Sequence, residues 1–173
     1  MVESIVGNLI GFFGGLKAIP FGKELIVFII SLMPILELRG GLIAASLLNL
    51  DPVRSYIISI IGNIIPVPFI LWLINSILAW MRKSKVKLFN KTAKWLDKKV
   101  EKHKGGIEKF GFWGLVLFVG IPLPGTGAWT GCLIASVLEM NRKKAFLAAM
   151  IGIIMASIIM MIISFGLLKS IIG

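Results

Sequence analysis

The sequence predicts an all-α integral membrane protein. It is expected to consist of two inverted repeats, each a re-entrant broken helical hairpin followed by a transmembrane helix, joined by a basic amphipathic linker helix. Three observations predict this. The 173 residues are 57% hydrophobic, with mean hydropathy +0.95, against the ~45–50% apolar content of soluble domains. The cations are concentrated: residues 82–109 hold 11 Lys/Arg and 3 Asp/Glu, and so carry +8 of the net +11. Residues 25–64 match residues 115–154 at a constant offset of 90, with ten identities in forty and no gap.

Taken in order, the chain divides within one membrane domain, residues 1–173. Residues 1–22 form an N-terminal interfacial helix, because the apolar run 4–16 is short and interrupted by Gly7, Gly11, Gly14 and Gly15. The opening MVES puts Glu3 ahead of the apolar run, unlike the basic start of a cleavable secretory signal. Residues 23–81 form repeat 1. Its block 24–50 contains PILELRGG at 34–41, and its block 53–81 is long enough for a tilted span although it contains Pro66 and Pro68. About 20 residues cross the hydrocarbon core.

Residues 82–109 are the linker, in which Leu88, Phe89, Trp95, Leu96 and Val100 recur at helical spacing among lysines. That pattern suits a helix lying on anionic headgroups; the alternative is a soluble helical loop. His103, alone among these charges, reads as solvated. Residues 110–173 form repeat 2: an apolar block 110–138 interrupted by IPLPGTG, then 145–168, which carries no charge.

The charges in PILELRGG require a break. In one continuous helix Glu37 and Arg39 would point apart, each costing ~2.5–3.5 kcal/mol at the bilayer centre. Pro34 and the pair Gly40–Gly41 bracket them as a re-entrant tip. The arms 24–33 and 40–50 are each ~15 Å long at helical rise, half the core. Pro122, Pro124, Gly125 and Gly127 make the corresponding tip of the second unit. Irregular backbone at that depth is tolerated only against protein or a water-filled cavity.

Each unit next shows a capping residue before its long helix, Asp51 followed by Pro52 and Asn141 followed by Arg142, as N-caps do. One crossing per unit makes the two inverted, and broken segments of inverted repeats build transporter sites near the midplane. With the linker inside, Arg142, Lys143 and Lys144 fall inside too, giving 14 of 19 cations on the cytoplasmic side, as the positive-inside trend requires.

The location of the charge argues against nucleic acid as a partner and for anionic membrane lipids. One cysteine, Cys132, excludes an intramolecular disulfide and reads as a packing residue. With one His and one Cys there is no clustered metal site, no nucleophilic triad and no phosphate-binding P-loop. The chain is therefore expected not to be an enzyme and to need no cofactor or metal.

PILELRGG followed by DPVRSYIISIIGNIIPVPF, then PLPGTGAWTGCLIAS, resembles the small multi-drug export protein family over nearly the whole chain. That family is thought to be distantly related to the DedA/VTT superfamily, whose members have paired re-entrant segments. The resemblance implies that fold, and implies transport or lipid translocation with proton coupling. It carries the first-motif acid and arginine onto Glu37 and Arg39. The second motif here lacks the arginines and the acid that DedA proteins carry near theirs.

The expected function is translocation of an amphipathic or anionic substrate: a lipid carrier phosphate, a phospholipid or a small drug. The alternative is a non-transporting scaffold. Arg39 would bind an anionic headgroup, and Glu37 would be its partner or a proton carrier; otherwise the two form a structural pair that fixes the turn. Thr126, Thr130 and the amides of the PGTG turn would complete an anion site. Trp129 would gate or stack, and Asn63 would bond the re-entrant tip. Trp72, Trp80 and Trp113 read as interface anchors. A bacterial or archaeal inner membrane and a homodimer complete the expectation.

Overall fold

The computed structural model describes residues 2–83, 87–123 and 125–167. Every element described is helical: α1 (Val2–Phe12), α2 (Gly22–Leu32), α3 (Glu37–Leu47), α4 (Pro52–Ile64), α5 (Pro66–Lys83), α6 (Lys87–Gly120), α7 (Ala128–Val137) and α8 (Arg142–Met161). A 3₁₀ turn, Gly14–Ala18, links α1 to α2, and a wider π-type turn, Ile162–Leu167, follows α8. Two stretches, Pro52–Ile74 and Arg142–Gly166, are long and apolar enough to cross a membrane.

The first of these has a break in its hydrogen-bond ladder. Pro66 lacks the N–H that would continue the ladder, so the block expected as one span from residue 53 to 81 is two helices, α4 and α5, meeting at Ile65. A second break comes at Gly111, next to the boundary expected between the linker and repeat 2. Its φ of 54° and ψ of −122° break α6, separating the basic linker from an apolar arm that runs to Gly120. The described residues of the linker are helical as expected. The side chains of Leu88, Phe89, Trp95, Leu96, Val100 and His103 lie outside the described residues, as does Pro124.

The first hairpin turns at Met33–Leu36, between α2 and α3. Pro34 lies in this turn, but Gly40 and Gly41 do not. They sit inside α3 and are buried, which corrects the expectation that they form the tip. Their small size serves packing. A Cβ on Gly41 would collide with Ser31 Oγ, and one on Gly40 would press on Leu36. Small residues let apolar helices approach closely where lipid gives no hydrophobic drive. Lys23 Nζ, at the start of α2, donates to Leu48 O at the end of α3 over 3.2 Å. The hairpin therefore begins and ends at the same edge.

The two halves repeat one set of backbone bonds. Leu48, Asn49 and Leu50 donate to Ala44 O, Ser46 O and Ala45 O; Leu138, Glu139 and Met140 donate to Ile134 O, Ser136 O and Ala135 O. Asn49 and Glu139 both take left-handed φ, 51° and 53°. Asp51 accepts from Arg54 N, and Asn141 from Lys143 N and Lys144 N. Packing repeats as well. In the first half α1 packs on α3, α2 on α3 and α4, and α3 on α4; in the second, α5 packs on α7, α6 on α7 and α8, and α7 on α8. The N-terminal helix thus occupies the place in its half that α5 occupies in the other.

The match is not gapless throughout. A Cβ on Gly62 would meet Phe28 O and Ser31, and one on Gly152 would meet Val116 O and Val119. Those neighbours lie 88 residues apart while the glycines lie 90 apart, so the turn of the second hairpin carries two additional residues.

Candidate functional site

The two turns meet. Glu37 opens α3 with φ of 52° and is 4% exposed. Its carboxylate accepts from the backbone amides of Ala128, to Oε2 at 3.1 Å, and Trp129, to Oε1 at 3.0 Å. These are the first residues of α7, where unsatisfied N–H groups and the positive end of the helix dipole favour an anion. The anion held there is the chain's own carboxylate.

Arg39 makes the complementary contact. Nη1 donates to Leu123 O at 2.7 Å, and Nη2 to Ile121 O at 3.4 Å and Thr126 Oγ1 at 3.1 Å. These oxygens belong to the loop that follows α6, in which Ile121 O also accepts from Leu123 N and Leu123 O from Thr126 N. Thr126 Oγ1 also lies 2.9 Å from Ile121 O and 2.8 Å from Leu123 O, closing the loop on itself. Acid and base, two residues apart on α3, thus grip the start of α7 and the loop that precedes it.

Glycine permits the approach. Gly127 has φ of 132°, and a Cβ there would overlap the Glu37 carboxylate. Gly125, with φ of 86°, turns the chain in open space. Pro122 precedes it in the same loop.

The expected site residues therefore separate. Glu37, Arg39, Thr126 and the amide of Trp129 come together. Thr130 is buried deeper on α7. Asn63 stands on α4, 1% exposed, in a buried polar stripe with Ser55 and Ser59. Among the described residues, Asn63 Oδ1 and Ser59 Oγ find no hydrogen-bond partner. At the same places in the second half stand Ala145, Ala149 and Ile153, all fully buried, so the packing does not itself require polar groups there.

The Trp129 side chain faces a different feature. With Leu32, Ile65, Pro66, Phe69 and Leu73 it lines an apolar groove of about 340 Å³, the size of small-ligand sites. Trp129 Nε1 is buried without a partner among the described residues. Sequence reasoning found Trp129 but not this groove, since its walls come from α2, α5 and α7. Among the described residues, no group of His, Cys, Asp or Glu is arranged to hold a metal, and Cys132 is buried.

Two apolar helices of membrane-spanning length point to a helical membrane protein. Residues 37–159 match the family described as "Putative small multi-drug export protein", and the chain belongs to that family. The matched region begins at the clamp acid and includes both membrane-length helices apart from the last residues of α8. No curated protein and no solved structure matches the chain.

Proposed function

We propose that the chain is a transporter of amphipathic, anionic substrates, and that the Glu37–Arg39 clamp is its gate. The supporting observation is the pair of amide bonds from Ala128 and Trp129 to Glu37. An anion-binding helix end is occupied by an internal carboxylate beside an apolar groove that shares Trp129. A substrate anion and Glu37 compete for that helix end. Protonating Glu37 removes its charge, weakens the charge-assisted bonds, and frees the α7 amides for the substrate's anionic group, which Arg39 attracts from the neighbouring loop. The apolar part lies along the Trp129 groove. Proton binding thereby couples to opening.

In this reading the two halves are inverted, as in the DedA-like arrangement, with each hairpin re-entrant and the stretches Pro52–Ile74 and Arg142–Gly166 crossing the membrane of a bacterial or archaeal cell. The 82–109 linker is cytoplasmic. The repeated packing and backbone bonds support a common unit. The crossing of each unit and the distribution of 14 of 19 cations support the inversion. Asn63 and Ser59 offer unpaired polar atoms along the crossing helix, where intramembrane polar groups mark substrate or ion paths.

The test is flux and melting temperature measured on the same preparations of Glu37→Gln and Arg39→Lys in proteoliposomes and detergent. The proposal expects Glu37→Gln to lose the pH dependence of transport. It expects Arg39→Lys, which keeps the charge but loses the planar fork, to weaken substrate binding more than stability. Unaltered pH dependence at full flux in Glu37→Gln refutes the gate. Activity lost only in step with unfolding makes the clamp purely structural.

A further inference from the structure

A second site lies at the start of α8, away from the clamp. Pro68, Leu71 and Trp72 of α5 face Arg142, Lys143, Phe146 and Leu147 of α8 across a groove of about 650 Å³. Its walls are apolar, and two cations stand at one end. A smaller cleft shares Leu71 and Arg142 with it and adds Ser136, Glu139, Met140 and Asn141. Phe146, Leu147 and Trp72 are substantially exposed. An apolar trough with a cationic rim is complementary to a molecule with an apolar tail and an anionic head.

The site belongs to one half only. At the places of Arg142, Lys143 and Lys144 the first half has Pro52, Val53 and Arg54. The fold therefore tolerates a single cation at this corner, and the other two are not needed for the helix start, which Asp51 or Asn141 caps in each half. Trp72 beside the cations suits the headgroup level, where indole rings settle.

We propose that this groove holds an anionic phospholipid of the surrounding bilayer. The phosphate lies between Arg142 and Lys143, and the acyl chain lies along Trp72, Phe146 and Leu147. Glu139, lining the adjoining cleft, disfavours a second negative charge on that side and so directs the phosphate toward Lys143. The proposal does not depend on the transport reading, because it needs only a bilayer.

The experiment is titration of detergent-solubilised protein with phosphatidylglycerol, phosphatidylcholine or inorganic phosphate, with bound lipid counted by native mass spectrometry. Wild type should prefer phosphatidylglycerol, which carries a net negative charge, over phosphatidylcholine, whose choline offsets its phosphate, by about thirtyfold at ~1 kcal/mol for each of two cations. Arg142→Gln/Lys143→Gln should abolish that preference. Lys144→Gln, which removes a neighbouring charge that does not line the groove, should retain it. Leu147→Trp, which fills the trough, should reduce binding of both lipids, with elution as a folded monodisperse peak required of every variant. Preference surviving in the double variant overturns the proposal, as does equal loss in Lys144→Gln. Inorganic phosphate that displaces the lipid at equal concentration also overturns it, since the site would then recognise the anion alone.

Discussion

Glu37 and Gly127 stand at the same place in the two matching halves, and they touch. A side chain on Gly127 would fall on the Glu37 carboxylate, while the next two residues, Ala128 and Trp129, donate their amides to it. One half supplies an acid at this position and the other supplies the space for it.

Gly127→Ala should therefore act through Glu37. Backbone at φ 132° and ψ −177° costs an alanine ~1–3 kcal/mol, and losing a hydrogen bond to a charged group costs ~1.5–3 kcal/mol, so about 2.5–6 kcal/mol in all. Gly125→Ala, with positive φ but nothing within 4 Å, should lose only the backbone part, ~1–2 kcal/mol. Melting in detergent compares them. Equal losses would mean that Glu37 yields freely.

The close approach of α2 and α3 predicts a rescue. Gly41→Ala should destabilise by ~1–3 kcal/mol as an overpacked contact, because its methyl meets Ser31 Oγ. Ser31→Ala removes that oxygen, and the double variant should recover at least half of the loss. Losses that simply add would show that Gly41 is needed for another reason.

Asp51→Ala and Asn141→Ala should each cost ~0.5–2 kcal/mol as lost N-caps. The caps start helices in different halves, so their effects should add. A double variant much worse than the sum would show that the two helix starts are coupled.

Topology is open to chemical labelling. With Cys132 replaced, single cysteines at Lys23 and Asp51 should react with an impermeant thiol reagent from one side of the membrane, and one at Lys87 from the other. Lys23 already bonds Leu48 O at the far end of its hairpin. Reaction of positions 23 and 51 from opposite sides would remove the re-entrant first hairpin.

What was legible in the sequence follows from the range of each interaction. Pro34, Asp51–Pro52 and Asn141 act locally, and each marks the turn or helix start that local chemistry dictates. Gly40–Gly41 misled because a glycine pair serves a chain break and a tight helix contact equally well, and only the facing Ser31 decides between them. The break in the ladder at Pro66 was readable from proline's missing donor, but length and hydropathy outweighed it. The break at Gly111 falls where the basic linker gives way to the apolar block at residue 110, a change of composition that the sequence shows directly. The grip of Glu37 and Arg39 on residues 121–129 spans more than eighty positions and lay beyond any local pattern. A trace of it was present in the repeat itself, where an acid in one half aligns with a glycine in the other.

The clamp also sets an order on biogenesis. Arg39 bonds Leu123 and Thr126, and Glu37 bonds Ala128 and Trp129, so a ribosome makes the two charges long before it makes their partners. At ~5–20 residues per second the wait is roughly 5–18 s. Throughout it the nascent first hairpin lacks the bonds that residues 121–129 later make to its carboxylate and guanidinium. In the membrane reading proposed above, that hairpin settles fully into lipid only once the second turn has emerged.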